Sequence, residues 1–258
     1  MPEERNQDPQ EIIWGRNSVL ALIEEAPSRI KKVLVARGTH HQSIRRIEDS
    51  CRERRIPLLQ VDRLTIERTC PGSAHQGVVA LISAVDLHDV SELVQLVPEN
   101  PAPALVLLLD HLQDPGNLGS ILRSAEAFGA SAVVIPKRRA ALPTGTVLKA
   151  SAGAAARIPV VSASNLLSAL DVLEPEGFWS VAMTPGAGDP LDGKPLPSRM
   201  ALVVGSEGQG ITRPLENRCD EHRSIPMGGA SGSLNASVAA AIAMYVWKRM
   251  IDKAEGAP

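Results

Sequence analysis

The sequence predicts two α/β domains, a small one followed by a larger one built on a mostly parallel sheet. Three observations carry this expectation. Strand-like and helix-like segments alternate within the first 80 or so residues, which is the pattern of a small α/β unit. A nearly continuous apolar run, ALVLLLD at 104–110, has the composition of a central strand covered on both faces. Between them the cluster Pro98-Glu99-Asn100-Pro101-Ala102-Pro103 removes backbone donors and disfavours helix.

The elements follow in order. Gly15-Arg16-Asn17-Ser18 precedes apolar residues at helical spacing, so Asn17 or Ser18 can cap a first helix. Residues 31–36 (KKVLVA) read as a strand, and 43–55 (SIRRIEDSCRERR) as a basic amphipathic helix with Ile44, Ile47 and Cys51 inward. Residues 57–61 and 77–84 complete the small domain as two short strands. After the prolines, helices are expected near 119–128, 166–173 and 235–251, and strands at 104–110, 132–135, 179–183, 200–204 and 223–226. The resulting division is a flexible terminus at 1–11, a small domain at 12–84, a linker at 85–103 and a large domain at 104–258.

Composition excludes several classes. With 44% hydrophobic and 22% charged residues and a net charge of −2, the chain is too apolar and too weakly charged to be disordered. Its longest apolar run, 238–247, falls short of the roughly 18 residues that cross a bilayer, so no membrane association is expected. Residues 1–10 are polar and carry no export signal, which points to the cytoplasm. Cys51, Cys70 and Cys219 are scattered and form neither a disulfide framework nor a metal pair, so no metal is expected. Aromatics make up only 2% of the chain, too few for a base-stacking platform. Charge is uneven: residues 28–68 hold 11 Lys/Arg against 5 Asp/Glu, net +6. That is a modest signal for a polyanionic partner; from charge alone a solvated helix face is the simpler reading.

Three loops at strand ends concentrate the unusual residues: 110–123, 203–211 and 225–237. Glycines in such loops let a backbone approach a ligand closely, and Glu207 sits among them where a turn does not require it. The familiar phosphate templates are absent. There is no G-x-G-x-x-G and no G-x-x-x-x-G-K-[ST]. Ser206 in G-S-E-G does not form a nucleophile elbow, and His222 is the only later histidine, so a hydrolase is poorly supported. What remains is a ligand site of three loops with Asn117, Arg123, Glu207, Ser233 and Asn235 as its polar groups.

The segments NLGSILRSAEAFG (117–129), LVVGSEGQGI (202–211) and IPMGGASGSLNASVA (225–239) resemble the three motifs of the SpoU/TrmH branch of the SPOUT RNA methyltransferases. They occur in that family's order, about 80 and 20 residues apart. GRNSVL (15–20) and HQGVVA (75–80) are similar to the start and end of its accessory RNA-binding domain. The third motif carries more small residues, at 228–232, than is usual. The resemblance is greatest to bacterial enzymes that methylate a guanosine ribose 2′-hydroxyl in 23S ribosomal RNA.

That resemblance implies S-adenosylmethionine as methyl donor, a homodimer through the large domain, and a deep trefoil knot near its C-terminus. By motif match, Gly205, Ile225, Met227, Ser233 and Leu234 hold the cofactor, and Asn117, Arg123, Glu207, Ser233 and Asn235 form the catalytic set. An arginine is protonated at ordinary pH, so Arg123 either loses its proton in the assembled site or, as physical argument favours, stays charged, fixes the target phosphate and polarises the hydroxyl. Asn117 is expected to orient Arg123 or the ribose, and Glu207 to hold Asn117; a plain Arg123–Glu207 ion pair is the structural alternative. Both Arg123 and Glu207 are expected to be buried. Arg16, Arg45, Arg46 and Arg52 are the expected RNA contacts. The alternatives are a tRNA-specific 2′-O-methyltransferase and a noncatalytic ribosomal RNA-binding factor.

Overall fold

The computed structural model describes residues 12–256 apart from His40, Ala84, Ala187, Gly188 and residues 229–231. The expected flexible terminus at 1–11 and part of the third motif's small-residue run therefore lie outside the described residues. The chain divides into two compact units, Met1–Asp86 and Leu87–Pro258.

The first unit runs β1 (Ile12–Trp14), α1 (Arg16–Glu25), β2 (Ile30–Ala36), α2 (Gln42–Glu53), β3 (Leu58–Val61), α3 (Arg63–Thr69) and β4 (Val78–Ile82). Its sheet has the order β1-β4-β2-β3. β2 and β3 are parallel, joined through α2, and the other pairs are antiparallel. Alternation along β2 sorts its side chains: Val33 and Val35 meet Val19, Ile23, Ile44, Ile47 and Cys51 on one face. Leu34 and Ala36 meet Ile66 and Cys70 of the α3 segment on the other. β1 and α3 are not legible in the sequence, being three and seven residues long. The cap of α1 also differs from expectation: it is Gly15, with no side-chain hydrogen bond, and Asn17 and Ser18 lie inside the helix.

The second unit continues with β5 (Leu87–Asp89), α4 (Leu93–Leu96), β6 (Ala104–Asp110), α5 (Pro115–Ala127), β7 (Ala132–Pro136) and α6 (Gly145–Ala150). Then come β8 (Val160–Ala163), α7 (Leu166–Leu173), β9 (Trp179–Met183), β10 (Asp189–Pro190), β11 (Arg199–Gly205), α8 (Arg213–Arg218), β12 (Glu221–Ser224) and α9 (Ala236–Ala254). The eight strands form one sheet, ordered β10-β12-β9-β11-β6-β7-β8-β5. Every pair in it is parallel, which accounts for the uniformly buried runs of β6 and β11.

The expected linker is instead part of this unit. β5 pairs with β8 at the sheet edge, and Leu93 is fully buried in the main core, against which Val90, Leu96 and Val97 also pack. Apolar residues at regular spacing decide the segment before its prolines begin. The prolines themselves are held by a buried cation. Arg199 donates to the carbonyls of Pro98 (2.9 Å), Ala102 (2.7 Å) and Glu176 (2.8 Å), with its guanidinium over the Phe178 ring.

Candidate active site

Parallel strands deliver their C-terminal loops to one edge of the sheet, where open α/β folds bind ligands. β6 leads through Asp114, which caps α5 by accepting from the Asn117 backbone N–H at 2.6 Å, and so places Asn117 in the first helical turn. β11 leads into the Glu207 loop, where Ser206 and Gly210 bridge. An added Cβ on Gly205 would lie 2.1 Å from the Gly210 carbonyl carbon, so this loop folds back on itself only with glycine there. The third loop ends at Asn235, which caps α9 by accepting from the backbone N–H groups of Ser237 and Val238.

One carboxylate oxygen joins all three loops. Glu207 Oε1 accepts from Asn117 Nδ2 at 3.0 Å, from Asn235 Nδ2 at 2.5 Å and from the Ala236 backbone N–H at 3.3 Å. Asn235 Nδ2 also donates to Asn117 Oδ1 at 2.9 Å, which closes the triangle. Beside it opens a cleft of about 300 Å³ with Glu207, Gly205, Ile225, Met227, Ser233 and Leu234 among its lining. All five residues expected to hold the cofactor therefore share one cleft. Its walls include Met183, Val204 and Ala239, apolar surfaces suited to a flat heterocycle. Arg223, fully buried, lines it too, but donates two hydrogen bonds to Glu221 Oε2. Among the described residues Glu207 is then the only carboxylate on the lining, a setting that favours a ligand carrying positive charge.

The structure departs from expectation at Arg123. It lies on α5 six residues beyond Asn117, is exposed, and makes no hydrogen bond or ion pair among the described residues. Glu207 is exposed as well. The Arg123–Glu207 ion pair is not formed, and Asn117 spends both ends of its amide on Glu207 and Asn235, so it does not orient Arg123. Ser233 is exposed on the cleft lining and stands outside the hydrogen-bonded triangle.

Sequence reasoning passed over Asp110. Buried at the end of β6, it accepts from the Thr212 backbone N–H at 2.7 Å and pairs with His111 Nδ1 at 2.6 Å, fastening the far end of the Glu207 loop. A carboxylate closing an otherwise apolar strand was the available signal. In the first unit, the two expected motifs meet. Arg16 donates through its backbone N–H to Gln76 Oε1 (3.1 Å) and through Nε to the Gln76 carbonyl (3.2 Å). Arg46 pairs with Glu24 and Arg52 with Asp49, all exposed, while Arg45 has no partner among the described residues.

Comparison with known proteins gives a consistent result. The SpoU rRNA Methylase family profile matches residues 104–245, and that of the RNA 2′-O ribose methyltransferase substrate-binding domain matches 12–87. A Staphylococcus aureus protein assigned to the TrmH family of tRNA/rRNA methyltransferases is 40% identical over 248 residues, 95% of this chain and 98% of its own. The 23S rRNA (guanosine-2′-O-)-methyltransferase of Salmonella typhimurium is 35% identical over 235 residues, 91% of this chain and 96% of its own. The SpoU methyltransferase AviRb of Streptomyces viridochromogenes, solved with AdoMet, shares the fold at TM-score 0.59 and 22% identity, covering 98% of this chain and 95% of that one.

Proposed function

The chain belongs to the SpoU family of RNA 2′-O-methyltransferases, and on that premise we propose that it methylates the ribose 2′-hydroxyl of a guanosine in 23S ribosomal RNA, with S-adenosylmethionine as donor. The observation that carries the reading is the Glu207 triangle, which draws the three motif loops together at the wall of an apolar, glycine-edged cleft. The similarity to the Salmonella enzyme supports the choice of nucleotide and RNA. Ribosomal RNA as substrate implies a cytoplasmic site of action.

The residues fit the donor. Apolar walls from Met183, Val204, Ile225 and Leu234 suit an adenine, and Gly205, Met227 and Ser233 on the same lining are the residues whose backbone groups would hold the donor. Glu207 is the one carboxylate among the described lining residues, which suits a sulfonium-bearing ligand. When bound, S-adenosylmethionine supplies a methyl group activated by its positive sulfur.

Everything else is the work of the chain. Arg123 is an exposed cation with no acid to neutralise it among the described residues. It keeps its charge, takes the phosphate beside the target ribose and polarises the 2′-hydroxyl, whose proton passes to a phosphate oxygen or to water as the new C–O bond forms, so that alignment contributes most of the rate. Asn117, Glu207 and Asn235 keep the loops closed, and Ser233 completes the rim. Residues 12–84 recognise structured RNA by shape and phosphate contact, as the scarcity of aromatics demands. Arg45 is the readiest contact; Arg46 and Arg52 exchange weak exposed pairs for phosphates at little cost, and Arg16 contributes the nitrogens not held by Gln76. Two copies associate through the outward stripe of α9, where Val238 and Tyr245 are 45% and 53% exposed and Phe128 packs edge-on against Tyr245. The knotted path of the family is consistent with this strand order.

The test maps 2′-O-methyl groups in ribosomal RNA from cells with and without the protein and measures transfer to 23S and tRNA transcripts. Loss of one guanosine methylation in 23S RNA is expected. Transfer to tRNA alone would assign the tRNA activity instead, and no transfer to any RNA would leave only a binding factor.

A further inference from the structure

We propose that a second cleft, at the C-terminal ends of β11, β6, β7 and β8, binds a phosphate-bearing nucleotide of the RNA substrate. The cleft measures about 450 Å³, within the usual range of ligand sites, and is lined by Asp110, His111, Arg138, Arg139, Asn165 and Thr212 among others. Its residues come from the segments that follow four adjacent parallel strands, β11, β6, β7 and β8, at the edge of the sheet where ligands bind in such folds.

The charge balance identifies an anion. Arg138 and Arg139 are exposed and make no ion pair or hydrogen bond among the described residues. The neighbouring acid Asp89 is taken by Lys137 at 3.3 Å. Asp110 is the only carboxylate on the lining, and both of its oxygens are engaged, by the Thr212 N–H and by His111. Two guanidinium forks are thus left without a counter-charge at the mouth of a preformed cleft, and such forks match the paired oxygens of a phosphate.

The arginine loop is anchored rather than loose. The Ala141 backbone N–H donates to the Leu112 carbonyl at 2.7 Å, which ties this loop to the one carrying His111. His111 and Arg139 both hold left-handed backbone, with φ of 55° and 56°, a conformation that non-glycine residues adopt only where the surroundings impose it. Among the described residues no Phe, Tyr or Trp lines the cleft, so phosphate contact rather than an aromatic platform holds the ligand.

Two features connect this cleft to the RNA reaction. Asp110 fastens Thr212, at the end of the loop that carries Glu207, and the loop after β6 runs from His111 directly to Asn117. The loop after β11 thus lines both clefts, and the loop after β6 lines the second and is tied to the first by the Asn117–Glu207 hydrogen bond, so an RNA strand entering the first has an anchoring point for a flanking nucleotide in the second. This inference rests on the reading that RNA is the substrate.

The experiment measures binding of a 23S ribosomal RNA transcript to the full chain across salt concentrations, without cofactor. Arg138→Ala/Arg139→Ala should weaken binding about tenfold at physiological salt and lower the log–log salt slope by about 1.4, two contacts at roughly 0.7 each. Arg138→Lys/Arg139→Lys should keep most of the slope. Arg157→Ala/Lys253→Ala removes the same total charge elsewhere on the unit and should change neither quantity. If the Arg138/Arg139 alanine variant matches wild type, or if the Arg157/Lys253 pair reproduces its effect, the proposal is overturned. Saturable binding of guanosine 5′-monophosphate that the alanine pair abolishes, with an unchanged RNA slope, makes this a free-nucleotide site and also overturns it. Because the assay needs no methyl transfer, failure of the chain to methylate any RNA would defeat the proposed activity while the slope still decides the cleft.

Discussion

Replacing Glu207 with alanine removes three hydrogen bonds at once, to Asn117 Nδ2, Asn235 Nδ2 and the Ala236 N–H. A hydrogen bond to a charged group contributes about 1.5–3 kcal/mol when buried. Glu207 is exposed, so water recovers much of that, and about 0.7 kcal/mol per bond, roughly 2 kcal/mol in all, is the appropriate scale. That energy keeps three loops in the arrangement that shapes the first cleft, so a ligand there must reorder them in the variant. At about 1.4 kcal/mol per tenfold, the expected loss is roughly thirtyfold in affinity for S-adenosylhomocysteine, read by calorimetry. A cycle with Asn117→Ala sharpens the test. Each single change breaks the same Asn117–Glu207 contact, so the double variant should fall short of the sum by about 0.5–1 kcal/mol. Wild-type affinity in Glu207→Ala, or strict additivity in the cycle, would refute the hub.

Arg123→Ala should abolish methyl transfer while cofactor affinity stays within a few-fold, and Arg123→Lys should rescue little because a fork is replaced by a point charge; single-turnover assays decide, and near-normal transfer by the alanine variant removes Arg123 from the chemistry. Gly205→Ala drives a Cβ to 2.1 Å from the Gly210 carbonyl carbon, so the loop must shift, and calorimetry should find cofactor binding lost while far-UV circular dichroism still reports a folded chain. Burial, with acids nearby, pushes the Cys219 thiol up to about 12 and the Cys51 thiol up to about 11 from 9. Since the unfolded chain gives up these protons first, the stability they contribute is present below about pH 9 and is lost as pH climbs from there toward 12. Denaturant unfolding at about pH 10.5 should show a loss of about 1–2 kcal/mol per thiol that Cys51→Ala/Cys219→Ala no longer displays.

Much of the fold was legible because long elements declare their period. The strand at 104–110 and the helix at 166–173 appear with the limits read from their apolar spacing. The short pieces were not: β1, β10 and α8 hold three, two and six residues, fewer than a pattern needs. The region at 85–103 misled because prolines are conspicuous in a sequence, whereas the carbonyl-gathering Arg199 that immobilises them lies about 100 residues away. The motifs located Asn117, Glu207 and Asn235, but the partner of each amide group depends on three loops converging in space, which spacing along the chain does not encode. Arg123 was expected inside that set; helical geometry puts it about 240° around α5 from Asn117, and it faces solvent.

The placement of β6 in the sheet bears on how the protein is made. Its register partner on one side, β7, begins at Ala132, but its partner on the other side is β11, where Arg199 pairs with Ala104, 95 residues later in the chain. At 5–20 residues per second, a ribosome takes on the order of ten seconds to deliver that second partner. For that interval a strand destined to be buried along its whole length presents an open row of backbone donors and acceptors, a template for pairing with another nascent chain. High-level expression should therefore divert this protein into aggregates during synthesis rather than after it, and slower translation upstream of residue 199 should make the loss worse.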